Sequence, residues 1–172
     1  AGFGDLRNWN TFRKFYHKNL HLRYFRNRRK IGALIDAHTW YRACESFDIA
    51  GVFESLIRSQ LGVERNSAIR WGDKTPSYLL HIPLLKELYP ESMIIHIIRD
   101  VRDCCLSINN AWNKNMIRAA QRWVDCVTKA IKDGKKAGKY LQIRYEDLLE
   151  NPALEMQIIC GFLGLEFNRS ML

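Results

Sequence analysis

The segment from Met93 to Ser107 constrains the fold of this chain more than any other. Its first six residues, ending at Ile98, are nearly all apolar, so both faces of a strand there would be apolar. That pattern is typical of a central strand in a parallel sheet. Arg99 ends the run, and Asp100, a good N-cap residue, begins a helix at once. We therefore predict a buried strand that turns directly into a helix, with the Ser107 hydroxyl two turns in.

The same segment predicts an anion site. Ligands of α/β sheets bind at the carboxyl ends of strands, where Arg99 is placed. Its guanidinium has a planar fork of donors that matches phosphate oxygens. Asp100, Asp103 and Ser107 fall near one face of the predicted helix, and each charge-assisted contact to a phosphate contributes about 1.5–3 kcal/mol. An alternative stays open: Arg99 forms an ion pair with an acid, and Ser107 is a surface hydroxyl.

The rest of the chain predicts strands that alternate with helices, which indicates an α/β layered fold with a parallel sheet. At 172 residues it fits one domain, mainly helical over 1–66 and α/β over 67–172. We expect further strands at Ala68–Trp71 and Tyr140–Arg144. The expected helices are an amphipathic one in the first thirty residues, interrupted near Lys18 and Asn19, then Thr39–Gln60, one from Pro76 to Leu88, Met116–Lys136 and Pro152–Leu163.

The formal charge of +9 favours anionic partners. Much of it lies near the start, in Arg23, Arg26, Arg28, Arg29 and Lys30. Nucleic-acid binding is one hypothesis, but a helix with one apolar and one solvated basic face is favoured, since no signature of that class is present. We expect no nucleic-acid partner.

Two expectations concern cysteines and compartment. The five cysteines are an odd set without CxxC spacing, which argues against a disulfide framework and a zinc site. Reduced thiols indicate a cytoplasm-like compartment. No apolar run approaches the roughly 20 residues of a membrane span, and no signal leader is visible.

Two more residues, Lys74 and Tyr145, lie just after predicted strands, as Arg99 does. Lys74 lies in Trp71-Gly-Asp-Lys-Thr-Pro after a predicted strand and could reach a phosphate or sulfate oxygen, although a solvated loop lysine is the alternative. Tyr145 directly follows another predicted strand. Its ring could pack beside a base, or it could simply fill the core.

Together these segments resemble the sulfotransferase superfamily, whose donor is 3′-phosphoadenosine 5′-phosphosulfate. Arg99 and Ser107 match the family's 3′-phosphate pair in its R-D-x-R-D-x-x-x-S motif, with Val101 where the family often has proline. Tyr145 matches the aromatic beside the adenine, and Lys74 resembles the lysine beside the transferred group. The K-T-P form is more similar to bacterial and Golgi-type branches than to cytosolic steroid and phenol enzymes.

This resemblance implies a fold like that of P-loop nucleoside triphosphatases and a sulfuryl transfer, without metal, to a hydroxyl or amine. The acceptor could be a small molecule, a glycan or a protein tyrosine. The family's glycine-rich 5′-phosphosulfate loop has no counterpart in the sequence, so we expect an incomplete domain that lacks the first strand. The alternative is a nucleotide-binding fragment without turnover. The bacterial-type likeness favours the cytoplasm, and the Golgi lumen applies if a membrane anchor precedes the chain.

The general base is not identified by the resemblance. Branches with this K-T-P loop usually place a glutamate just after the glycine-rich loop. The candidates within the chain, for each of which a structural role is favoured, are His38, Glu45, Glu54 and His81. His96 is expected to be a core histidine. Trp123 has core spacing on its helix, and whether it also lines the acceptor cavity stays open.

Overall fold

The computed structural model describes residues 2–62 and 69–172. It divides the chain into two compact units, 1–74 and 75–172, each with its own packing. The first is helical and the second combines helices with a small parallel sheet. The mixed α/β class predicted from the sequence agrees with this content. The finer expectations, a P-loop-like sheet and a domain divided at residue 66, stay predictions.

The first unit is built around aromatic side chains. Its helices are α1 (Trp9–Asn19), α2 (Arg23–Lys30), α3 (Ala37–Ala43) and α4 (Ile49–Gln60). Phe12, Tyr16, Phe25 and Trp40 are buried together, largely with edge-to-face ring geometry. The Trp40 indole donates to the Val52 carbonyl at 3.0 Å. The break expected near residues 18 and 19 lies between Asn19 and Arg23.

The single helix predicted over Thr39–Gln60 is wrong. The structure ends α3 at Ala43 and begins α4 at Ile49. The break arises because Asp48 acts as an N-cap and accepts a 2.8 Å hydrogen bond from the Gly51 amide. Ser46 donates its hydroxyl hydrogen to the same carboxylate. Local side-chain bonds of this kind compete with a continuous helical ladder.

The strand predicted over Ala68–Trp71 is also wrong for the part that can be compared. Ala68 lies outside the described residues, and residues 69–71 have no strand assignment. Arg58 donates to the Ile69 carbonyl at 3.3 Å, and the Trp71 indole donates to Glu54 at 3.0 Å. Side chains of α4 therefore hold this segment.

The second unit follows the predicted order closely. Its helices are α5 (Ile82–Leu88), α6 (Val101–Trp112), α7 (Met116–Lys136), α8 (Tyr145–Glu150) and α9 (Pro152–Leu163), and its strands are β1 (Ile94–Ile98) and β2 (Tyr140–Arg144). The helix expected from Pro76 to Leu88 is divided: Pro76–Leu80 is a 3₁₀ helix, and α5 starts after His81. Pro83 has no N–H, so it cannot donate the backbone hydrogen bond that would continue the 3₁₀ helix.

The two strands pair in parallel, from Ile94 with Tyr140 to Ile98 with Arg144. In the part of the chain that the structure describes, they form a two-stranded sheet. His96 is 3% exposed, and its Nδ1 lies 2.6 Å from the Tyr140 hydroxyl. Burial lowers the pKa of His96, so the ring is held neutral within the sheet.

Gly134 of α7 packs against the Tyr140 ring so closely that a Cβ there would overlap it. We expect Gly134→Ala to destabilise the fold. Overpacking costs about 1–3 kcal/mol, more than the roughly 0.8–1 kcal/mol that alanine gains over glycine in a helix. Urea unfolding measures the difference.

The matched control is Gly161→Ala in α9, where a Cβ would meet nothing within 4 Å. This variant should be unchanged or slightly more stable. Equal stability changes at the two glycines would show that α7 and β2 do not pack as described.

Candidate functional site

Arg99 and Tyr145 lie side by side at the carboxyl edge of the sheet. Each is the first residue after its strand, and the strands end in register at Ile98 and Arg144. The Arg99 guanidinium carbon lies 5.2 Å from the centre of the Tyr145 ring, a cation–π distance. Arg99 and Tyr145 are 46 positions apart in the sequence (145 − 99), and they are neighbours because two parallel strands end together.

An open depression of about 610 Å³ lies along one face of α6. We call it the α6 groove, and its lining residues are Arg99, Asp103, Leu106, Ser107, Asn110 and Ala111. Ser107 is exposed. The arginine and the serine predicted to act as a pair thus border the same space, with a cation at one end and a hydroxyl within it.

The Arg99 guanidinium has unused hydrogen-bonding capacity. One terminal nitrogen lies 3.4 Å from the Asp103 carboxylate, a long contact, and the Arg99 side chain is 41% exposed. An ion pair so exposed contributes only about 0–1 kcal/mol. The Nε atom is buried and has no hydrogen-bond partner among the described residues. The ion pair considered as the alternative exists, but it leaves donors available to a ligand.

Arg102, the other arginine of the motif, has a different role. It donates to both oxygens of Asp100, at 3.0 and 2.9 Å. These side-chain bonds, with one from the Arg102 amide, lower the pKa of Asp100 to about 2. Because Asp100 is the N-cap of α6, Arg102 supports the helix start and does not line the groove. Among the described residues that line the groove, Arg99 is the cation.

Lys74 is an exposed residue at the end of the first unit. The other three predicted site residues belong to the second unit, and the structure brings those three together. The expected role of Lys74 beside the transferred group stays a prediction.

The four base candidates have different surroundings. Glu54 accepts hydrogen bonds from Arg58 at 2.7 Å and from the Trp71 indole, so it has a structural role in the first unit. His38 packs edge-on against Trp9 at the surface. Glu45 and His81 are exposed. None of these observations identifies a base.

Two contacts of this region were not predicted as part of the site. The Trp123 indole donates to the Arg99 carbonyl at 3.0 Å, and Glu146 accepts from the Asp100 amide at 2.8 Å. Trp123 was expected to have core spacing on its helix, with a place in the acceptor cavity left open. The signal for Glu146 was its place directly after Tyr145, at the end of the neighbouring strand.

The structure also describes the cysteines, the potential metal-ligating side chains and the basic helices. All five cysteines are free, and the described residues contain no cluster of three potential metal-ligating side chains. No helix in the described part of the chain is long and apolar enough to cross a membrane. On α1 and α2 the cations are mostly exposed, while Phe12, Tyr16 and Phe25 are buried. The surface is thus basic, with those aromatic rings turned inward.

Comparison with known proteins gives two matches. A family model described as "Sulfotransferase family" matches residues 5–169. A protein of Caenorhabditis briggsae named "Putative protein-tyrosine sulfotransferase" is 29% identical over 116 residues, which is 61% of this chain and 40% of the relative. The chain therefore spans less than half of that relative's length. No solved structure matches the present chain.

Proposed function

The chain belongs to the sulfotransferase family, and from this premise we propose that it takes part in sulfuryl transfer from 3′-phosphoadenosine 5′-phosphosulfate to a hydroxyl or amine. The observation that carries the proposal is the α6 groove. It combines an arginine with an unpartnered buried Nε, a serine hydroxyl and an adjacent aromatic ring. A phosphate with an attached purine has the chemistry that such a set recognises.

Each residue has a distinct task in this proposal. Arg99 and Ser107 bind the 3′-phosphate, the arginine through charge-assisted hydrogen bonds and the serine through its hydroxyl. The Tyr145 ring packs beside the adenine and also contacts the Arg99 guanidinium. Fixing the 3′-phosphate and the base sets the direction of the sulfuryl group for in-line attack by the acceptor.

Lys74 would act where charge develops. As the bond to sulfur breaks, negative charge grows on the bridging oxygen of the leaving 3′-phosphoadenosine 5′-phosphate. A lysine ammonium beside that oxygen stabilises the transition state more than the ground state. This chemistry needs no metal.

For the acceptor we propose a tyrosine hydroxyl as the first candidate. The support is the name of the Caenorhabditis briggsae relative, which refers to tyrosine in proteins. Other hydroxyls and amines, of glycans or small molecules, remain in the same proposal as members of an acceptor panel. The rival is a chain that binds the nucleotide but transfers nothing.

Replacing Arg99 by alanine tests the binding half of the proposal. Loss of one charge-assisted contact predicts roughly ten- to hundredfold weaker binding of adenosine 3′,5′-bisphosphate, measured by calorimetry. The matched control is Arg169→Ala, an exposed arginine outside the groove, which should bind like the wild type. Equal affinity of the Arg99 variant and the wild type would contradict the assignment.

Supplying the donor with an acceptor panel tests the catalytic half. We expect product with the wild-type chain, and a strongly reduced kcat for Lys74→Ala with little change in bisphosphate affinity, because the lysine acts mainly in the transition state. Lys132→Ala, an exposed lysine of α7, is the control. Binding without any product would favour the rival.

A further inference from the structure

A single peptide group at the strand-to-helix turn is held by side chains from two different helices. Its carbonyl, that of Arg99, accepts the 3.0 Å hydrogen bond from the Trp123 indole of α7. Its N–H, that of Asp100, donates the 2.8 Å hydrogen bond to Glu146 of α8. The thiol of Cys104 is a weaker second donor to the carbonyl, at 3.8 Å. Both polar groups of the peptide are thus hydrogen-bonded to side chains and not to the backbone of a strand or helix.

This peptide lies between the backbone hydrogen bonds of the sheet and those of helix α6. Strand pairing ends one residue earlier, at Ile98. The helical ladder of α6 begins one carbonyl later, where the Cys104 amide donates to the Asp100 carbonyl at 3.0 Å. Backbone groups at such a junction need partners from side chains or water. Here Trp123 supplies the donor for the carbonyl, and Glu146 supplies the acceptor for the N–H.

We propose that Trp123 and Glu146 are positioning residues for the phosphate-binding arginine. By fixing the Arg99–Asp100 peptide, they fix ψ of Arg99 and φ of Asp100, and so the direction in which α6 leaves the strand relative to the Arg99 side chain. A rotation at this peptide would move Ser107, which α6 carries, away from the Arg99 guanidinium. The inference rests on the proposed function, since it gives Arg99 a ligand to be positioned for.

The charge of Glu146 strengthens its half of this arrangement. Accepting the Asp100 amide hydrogen lowers the pKa of Glu146, so the carboxylate is ionised at neutral pH. A hydrogen bond from an amide to a carboxylate is shorter and stronger than one to a neutral acceptor. Glu146 also follows Tyr145 directly in the sequence. Adjacent residues therefore contact two parts of Arg99: Glu146 binds the peptide group after it, and the Tyr145 ring contacts its guanidinium.

A purely structural role for the two residues predicts lower stability and nothing else. The positioning role predicts that variants which remove one of the two hydrogen bonds keep the fold but lose ligand affinity. Trp123→Phe keeps an aromatic ring of smaller size and removes the N–H donor. Glu146→Ala removes the acceptor, Glu146→Gln keeps a weaker one, and Glu150→Ala on the same helix is the control.

Two measurements on the full chain test the proposal: amide hydrogen exchange at Asp100 and Cys104, and affinity for adenosine 3′,5′-bisphosphate. In Trp123→Phe and Glu146→Ala we expect the Asp100 amide to exchange about tenfold faster or more, with the Cys104 amide nearly unchanged. Affinity should fall by about three- to tenfold, within the range for one lost hydrogen bond. Glu146→Gln should recover much of both, and Glu150→Ala should match the wild type.

Unchanged exchange at Asp100 in both variants would show that the peptide is not held in this way. Faster exchange with unchanged affinity would show that it is held but does not position Arg99, which also overturns the proposal. If Glu146→Ala does not fold, Trp123→Phe provides the comparison, and Glu146→Gln should lie between it and the wild type. A wild-type chain that does not bind the bisphosphate overturns the proposed function, and the positioning role with it, whatever the exchange data show.

Discussion

The parallel pairing of β1 with β2 is the constraint on which the candidate site depends. Because the two strands end in register, the residues that follow them, Arg99 and Tyr145, emerge next to each other. The pairing is supported from inside the sheet by His96, which contacts the Tyr140 hydroxyl, and by Gly134, which lets that ring lie against α7. Arg99, a lining residue of the α6 groove, is thereby placed by backbone hydrogen bonds and by core packing within the sheet.

The distribution of hydrogen bonds separates residues that support the site from those that face it. The side chains of Arg102 and Asp100 are hydrogen-bonded to each other at the start of α6. Trp123 and Glu146 satisfy the backbone of the turn. After these contacts, Arg99 still has a buried Nε without a partner among the described residues. The Arg99 side chain is nevertheless 41% exposed, so its terminal nitrogens, one of which makes the long contact with Asp103, are the donors that an anion in the groove would reach.

The sequence was most informative where local signals are strong. Asp100 caps α6 as predicted, and Pro152 and Gly164 bound α9 as expected, because caps and helix breakers act through neighbouring residues. The break before α4 was missed because it depends on side-chain bonds of Ser46 and Asp48 that compete with helix periodicity. The contact of Trp123 with Arg99 spans 24 residues. No local pattern reports such a contact, so this part of the site required the fold.

The central claim is that the α6 groove recognises a 3′-phosphate, and the most direct test changes only that group on the ligand. Calorimetry on the wild-type chain would compare adenosine 3′,5′-bisphosphate with adenosine 5′-monophosphate. We expect the bisphosphate to bind at least tenfold more tightly, since charge-assisted contacts from Arg99 contribute about 1.5–3 kcal/mol. Equal affinity for the two nucleotides would contradict it.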